Sequence, residues 1–385
     1  MGFTATLAVQ CTGDQDHMDV RVSHSLPSES EWARHLAWAG ELDYFASRDW
    51  FENFVATVAA SGSDVEFVIA RDDNDEILGL LPLWCPPGGR SGLVRRIESL
   101  GNYYTCLFAP ILCEDRVKAS ASLGAMVEFV AETRAAWSCL RLLPLPADGW
   151  YVPEIIAAFA RKGLDARQYV AFGNWYLDCE GLDFATYFAS RKKKLRSTIR
   201  SKTNQLANSA QVEIRIVQHP EEVDEGYAAY LDVYNSSWKV PEPYPQFIPG
   251  LMRALAERGA LRLGLLSIDG IPAAAQLWFV HGQVASIFKL AYRETYSHFS
   301  VGSLLQMHLM EHVLDRDHVK VVDFLSGDDE YKAHWMSARR ERIGLEVING
   351  RSLGGLYLHL RHHAGKAKKW LQARQHQRAA STDES

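Results

Sequence analysis

Residues 261–292 read LRLGLLSIDGIPAAAQLWFVHGQVASIFKLAY. Asp269-Gly270 and His281-Gly282 are two-residue turn signals that cut this stretch into three apolar runs, Leu261 to Ile268, Ile271 to Val280 and Val284 to Tyr292. Runs of this length between such turns predict an antiparallel meander of three strands. After the meander, helical spacing of apolar residues predicts a helix from about Gly302 to Arg316, then a strand at Val319 to Leu325 and a last strand near Ile343 to Ile348. Before it, helices are expected over Phe184 to Leu206, Pro220 to Trp238 and Pro245 to Arg258, with a strand at Val212 to Val217.

The same plan is written once more upstream. EFVIARDDNDEILGLLPLW at 66–84 and LRLGLLSIDGIPAAAQLWF at 261–279 both read strand, acidic turn, strand ending in Leu-Trp, so that Trp84 and Trp278 take the same place in each half. A helical pattern runs from Ser28 through Trp32, Leu36, Trp50, Phe51 and Phe54, and strands are expected at Val65 to Ala70, Ile77 to Trp84 and Val94 to Leu100. A helix at Arg116 to Arg134, a strand at Cys139 to Leu143 and a helix at Pro153 to Lys162 follow. The expected class is therefore α+β, with two tandem domains that each hold a mixed, mostly antiparallel sheet flanked by helices. The expected division is a flexible arm at 1–27, domains at 28–180 and 181–350, and a basic helical tail at 351–385.

Composition excludes several classes. With 385 residues, 47% hydrophobic and 23% charged, the chain is neither collagen-like nor disordered. No apolar run reaches the roughly 18 residues that span a bilayer, and no secretory leader is visible, so a cytoplasmic location is expected. The six cysteines form no CxxC pair, and no His, Cys and acid spacing suggests a metal. The net charge of −6 hides a segregation: 190–203 holds seven basic residues and no acid, and 351–378 holds seven more without an acid. Two anion-attracting surfaces thus sit on an acidic body.

Across 288–335 the chain carries Lys289 with Ala291-Tyr292, the turn from Tyr296 to Gly302 leading into a helix, and Asp323-Phe324 followed by Gly327, Asp328, Tyr331, Lys332 and Trp335. With FASRDWFENF at 45–54, these pieces resemble the GNAT acyltransferases, and more closely their CelD-type branch of cellulose and exopolysaccharide biosynthesis, related to the FemABX peptidyl transferases. The resemblance covers about residues 40–348. It implies an N-acetyltransferase or acyltransferase that moves an acyl, commonly acetyl, group from acyl-CoA to an amine or hydroxyl of a sugar or polysaccharide precursor. Acyl-CoA would be a co-substrate and no cofactor would be permanently bound. The family's acyl-CoA loop reads Arg/Gln-x-x-Gly-x-Gly/Ala, whereas this chain has Phe299 and Leu304 at the flanking places around Gly302. That departure keeps an aminoacyl-tRNA donor, as in FemABX-like transferases, open as the alternative. A non-catalytic adaptor of a polysaccharide-synthesis complex at the inner membrane is the third reading.

The candidate donor-binding residues are Ser300, Gly302 and Ser303, at a turn whose helix N–H groups either hold a pyrophosphate or are simply capped, together with Lys289. Lys289 interrupts an apolar strand, and it faces either a polar cleft or, by alternation, solvent. The catalytic candidates are Asp323, Asp328 or Glu330 as base, Tyr331 as acid and Lys332 to orient a phosphate or carboxylate; the competing readings are a solvated acidic loop for the segment, a buried structural partner for Asp323 and a surface ion pair for Lys332. The loop from Trp238-Lys239 to Pro245 either covers an acceptor site or acts as a rigid connector. The basic run at 191–202 is either a solvated face or an attractor of phosphorylated substrates. The tail pairs Leu356, Leu360 and Trp370-Leu371 with Arg361, Lys366, Lys368 and Lys369, as a helix that lies on an anionic membrane or docks on its own domain.

Overall fold

A computed structural model describes residues 18–59, 64–133 and 137–361. The first half begins with β1 (Asp19–Ser23), α1 (Glu29–His35), α2 (Ala37–Leu42) and α3 (Arg48–Thr57). It continues with β2 (Asp64–Arg71), β3 (Ile77–Cys85), β4 (Arg90–Ser91), β5 (Val94–Ser99) and β6 (Ile111–Leu112). It closes with α4 (Arg116–Glu132), β7 (Cys139–Pro146), α5 (Tyr151–Arg161) and β8 (Ala166–Asp178). The second half opens with α6 (Phe184–Ser190), α7 (Lys193–Ala207), β9 (Val212–Val217), α8 (Val223–Asn235) and α9 (Phe247–Glu257). The meander β10 (Leu261–Ile268), β11 (Ile271–His281) and β12 (Val284–Tyr292) comes next, followed by α10 (Val301–Asp315), β13 (Val321–Asp323), α11 (Lys332–Trp335) and β14 (Ala338–Ile348).

All strands among the described residues belong to one mostly antiparallel sheet, in the order β1-β2-β3-β5-β7-β14-β8-β13-β12-β11-β10-β9, with β4 on β5 and β6 on β3. The class is α+β, as the alternation of apolar runs implied. The halves exchange strands at their junction. β14, the last strand among the described residues, pairs antiparallel with both β7 and β8, while β8 of the first half pairs with β13 of the second.

Four sequence expectations change in detail. Part of the expected N-terminal arm is β1, which pairs along its whole length with β2. The single helix expected over Phe184 to Leu206 breaks at Arg191, whose backbone is extended (φ −73°, ψ 157°) and whose guanidinium donates to the carbonyls of Trp335 (3.0 Å) and Met336 (3.2 Å). The final strand begins at Ala338 rather than Ile343, because the arginine-rich start of β14 pairs with β8. Trp84 and Trp278 do not share a place: they belong to different apolar clusters on opposite faces of the sheet. A one-residue offset suffices for that, since strand side chains alternate.

Three apolar clusters hold the layers. One lies between the halves, where Trp50, with 0% of its surface exposed, meets Phe45 and Phe247 edge-on at 4.7 and 5.4 Å between ring centroids. The second packs α4 and α5 on the first half of the sheet, and the third packs α10, α6 and α7 on the other. The local sequence starts these helices well: Ser28 and Glu31 form a reciprocal capping box on α1, and Ser47 accepts from the Trp50 N–H at the start of α3. The first cluster joins α3 to α9 and fixes the loops of one half against the strands of the other.

Candidate active site

The site begins where two parallel strands part. β12 and β13 pair over only three positions, Val284 with Val321, Ala285 with Val322 and Ser286 with Asp323. Beyond them β12 runs on to Tyr292, whereas the chain after β13 turns to β8, with the Phe324 N–H donating to the Trp175 carbonyl at 2.9 Å. One edge of β12 is thereby left open from Ile287 onward, and its backbone groups are available to a substrate. A β-bulge sits at this point, since Leu277 faces Lys289 but the next residue, Trp278, faces Ile287.

The bulge explains Lys289. Strict alternation favoured solvent, but the extra residue resets the pleat, and the ammonium points into a polar cluster with its side chain 16% exposed. It lies 2.7 Å from Oε1 of Glu242, 4.7 Å from the ring centre of Tyr104 and 5.4 Å from that of Tyr103. Oε2 of Glu242 accepts from the Tyr104 hydroxyl and, at 3.3 Å, from that of Tyr103. Burial alone would raise the Glu242 carboxyl, but the hydrogen bonds from Lys289 and Tyr104 outweigh it and hold it below the usual carboxylate range. Burial raises the Tyr104 hydroxyl, and Glu242 adds to that. Glu242 stands between Pro241 and Pro243, so the stiff loop after α8 carries a carboxylate onto the open edge of β12. Lys239 on the same loop has its pKa lowered by burial and then by the charge of Lys289.

The donor-side candidates lie at the start of α10. Ser300 is left-handed (φ 56°) and makes no side-chain cap, and its carbonyl accepts from the N–H groups of Ser303 (2.9 Å) and Leu304 (3.1 Å). The N–H groups of Val301 and Gly302 have no partner among the described residues. A side chain at Gly302 would come within 3.2 Å of the Tyr292 ring, so glycine is what lets α10 start against the end of β12. The half-exposed Trp238 packs against Tyr292 with the rings tilted by 53°, 4.6 Å between centroids.

The acids expected to act as bases are otherwise engaged. Asp323 is 3% exposed: Oδ1 accepts from Asn174 Nδ2 and from the Leu325 N–H, both at 2.6 Å, and Oδ2 takes Arg340, with Arg342 at 3.8 Å. This is the buried-partner alternative. The carboxylate holds Leu325 in a left-handed conformation (φ 54°) and shapes the loop behind the cleft. Asp328 is clasped by Arg339 and by Trp175 Nε1 (3.0 Å), and hydrogen bonding to Arg339 lowers its pKa. Lys332 is buried and donates to the carbonyls of Ser326 (2.5 Å) and Gly327 (3.3 Å), with Asp329 at 3.5 Å; burial pushes its pKa down. Tyr331 is exposed and lies edge-on to Phe324 at 5.7 Å. The structure thus gathers Lys289 with Glu242, Tyr103 and Tyr104, and Lys332 with the 323–329 loop. Glu242, Tyr103 and Tyr104 were not among the sequence candidates; the carboxylate fixed between two prolines was the one available signal.

Comparison with known proteins adds three findings. Residues 193–333 match the family model described as an acetyltransferase (GNAT) domain. No curated protein matches the sequence. Among solved structures, FemX is similar at 11% identity with a TM-score of 0.57, covering 86% of this chain and 98% of its own. The C-terminal domain (DUF2156) of a putative lysylphosphatidylglycerol synthetase from Agrobacterium fabrum matches at 12% identity and TM-score 0.49, over 76% of this chain and 86% of that one. A tandem GNAT protein from the clavulanic acid biosynthesis pathway matches at 12% identity and TM-score 0.42, over 85% and 98%. The likeness to FemX is one of fold. The matched segment spans α7 to the start of α11, including the open edge of β12 and the start of α10, and this match to an acetyltransferase (GNAT) domain supports an acyltransferase activity of that type.

Proposed function

We propose that the cleft beside β12 transfers an acyl group, acetyl in the simplest case, from acyl-CoA to an amine or hydroxyl of a sugar or polysaccharide precursor, as in the CelD-type branch. The chain divides near residue 180: the second half binds the donor and the first shapes the acceptor side through Tyr103 and Tyr104. The observation that carries this reading is the unpaired edge of β12 running toward the uncapped N-terminus of α10. The donor's phosphates sit at Ser300, Gly302 and Ser303, where the free N–H groups of Val301 and Gly302 and the helix dipole favour negative charge, and the thioester lies along β12. Glu242 takes the proton as the acceptor's nitrogen or oxygen attacks the thioester carbon. Backbone N–H groups at the bulge, with Lys289 beside them, stabilise the developing oxyanion. The C–S bond then breaks and the CoA thiolate leaves, to be protonated from solvent or Tyr331. Asp323, Asp328 and Lys332 hold the loop behind the cleft and act on the reaction through it.

Calorimetry with acetyl-CoA and with longer acyl-CoAs, paired with a thiol-release assay over amino sugars and polysaccharide fragments, tests the reading. Micromolar binding of one donor and acceptor-dependent thiol release support it; absence of binding by every acyl-CoA would overturn it.

One observation favours aminoacyl-tRNA as donor. α7 packs against the turn before α10 and against α10 itself, and it presents Lys193, Lys194 and Arg200 to solvent with no acidic partner among the described residues. A cationic helix beside a phosphate-binding turn suits a polyanion, and steeply salt-dependent tRNA binding would select this donor over CoA. A peripheral membrane contact through 351–378 completes the proposed setting.

A further inference from the structure

The helix at 353–361 shows which of its faces the protein uses. Gly354 and Gly355 are buried: a side chain on Gly354 would collide with the Leu93 carbonyl and Ser138 Oγ, and one on Gly355 with the Asn349 carbonyl. The helix therefore docks on the first half through its smallest residues, so close that no β-carbon fits. Leu353, Leu356, Tyr357 and Leu360 fall at i, i+3, i+4 and i+7, a single stripe, and are 71, 50, 52 and 64% exposed. The sequence left open whether the apolar face docks on the protein or elsewhere; the glycines take the docking role and the leucines are turned outward.

Four large apolar side chains on one helical stripe are an interaction surface rather than scattered exposure. Charge names the occupant. Arg351 and Arg361 are exposed at the two ends of the helix and join no ion pair among the described residues. The sequence from 362 to 378 adds five basic residues and no acid. A second copy of the chain would bring two such basic segments together, which like-charge repulsion opposes. An apolar stripe flanked by cations is the pattern that lies in the interface of an anionic bilayer, leucines among the acyl chains and cations at the headgroups.

We propose that the 353–361 helix seats Leu353, Leu356, Tyr357 and Leu360 in the surface of an anionic lipid bilayer and holds the enzyme there peripherally. This rests on the membrane setting of the proposed function and narrows it: the enzyme works at a lipid surface, which suits an acceptor that is itself membrane-borne.

Flotation of the full chain with phosphatidylcholine vesicles, with and without phosphatidylglycerol, tests it beside a variant carrying Leu353→Ser, Leu356→Ser and Leu360→Ser together. The wild type should partition into the phosphatidylglycerol vesicles at least about tenfold better than into neutral ones, and salt should weaken this. The variant should lose about tenfold or more in partitioning, keep its melting temperature and keep its acyl-CoA thiol release in solution. No flotation, equal flotation on neutral vesicles or unchanged flotation of the variant would overturn the proposal. A fall in the variant's melting temperature would mean that the chain's own segment covers the stripe, and a wild-type dimer that the substitutions dissociate would mean that a second copy does; either also overturns it. Thiol release in solution reports on the transferase reading separately, so the two can fail independently.

Discussion

Two parallel strand pairs of equal length end differently in this molecule. In the first half β5 and β7 pair at Arg96 with Cys139, Ile97 with Leu140 and Glu98 with Arg141, which matches the three-residue pairing of β12 and β13 in the second. Beyond it the first pair is bridged: Ser99 Oγ donates to the Leu143 carbonyl (2.6 Å) and accepts from its N–H (3.0 Å), and the Phe108 N–H donates to the Pro144 carbonyl (2.7 Å). The following helix is closed as well, because Asp115 caps α4 by accepting from the N–H groups of Val117 (2.8 Å) and Lys118 (3.0 Å). In the second half the strand edge is open and the helix start is uncapped. The same splayed geometry thus serves as sheet continuity in one half and as a binding cleft in the other, and a few hydrogen-bonding side chains make the difference.

The largest test of this contrast removes the chemistry from the open side. Glu242→Gln should lower kcat by about 10²–10⁴-fold with donor affinity unchanged, measured by thiol release and calorimetry. Because the Glu242 carboxyl titrates below its ordinary value of 4.5, it is ionised and competent above that pH and is lost as a base only as pH falls through its lowered pKa. The acid limb of kcat should accordingly lie below pH 4.5, and a limb near neutrality would have to belong to the acceptor.

Next comes the loop behind the cleft. Asp323→Ala leaves the buried Arg342 without its acid and frees the Leu325 turn, at an expected cost of about 3–5 kcal/mol in denaturant unfolding. A variant of unchanged stability but with abolished turnover would instead make Asp323 catalytic.

The open half can also be made to imitate the closed one. Ser300→Asp puts a carboxylate where the donor phosphates are expected and should weaken acyl-CoA binding roughly 10- to 100-fold by calorimetry. Binding left unchanged would break the comparison at its donor end. Smallest of all, Ser99→Ala or Asp115→Ala on the closed side should each cost about 1–2 kcal/mol of stability and leave acyl-CoA binding untouched. A loss of donor affinity from either would show that the first half also binds it.

Legibility in the sequence followed how local the signal was. Asp269-Gly270 specifies its turn through its own backbone preferences, and the strand limits of β10 and β12 agree with the reading, whereas the second turn falls one residue later than His281-Gly282, on Gly282-Gln283, because His281 ends β11 and pairs with Val284. The Gly302 turn was legible for the same reason. Glu242, Tyr103 and Tyr104 were not, because what defines them is a meeting between a proline loop and a segment about 140 residues earlier in the chain. Asp323 misled for a related reason: its partners Asn174, Arg340 and Arg342 come from two other strands, and only the alternation of Arg340 and Arg342 along β14 hinted that they share a face. A bulge, invisible in composition, decided the direction of Lys289.

The strand exchange also bears on how the chain is made. β7 emerges from the ribosome long before β14, the strand that covers its free edge, since Cys139 must wait for Ile348. Until then the first half has a hydrogen-bonding edge with nothing on it, an invitation to wrong pairing that folded proteins take care to hide. Neither half can finish its sheet until β14 has been made, so folding waits for residues 338–348. A ribosome stalled before residue 338 should carry a nascent chain that proteases and chaperones recognise as unfinished.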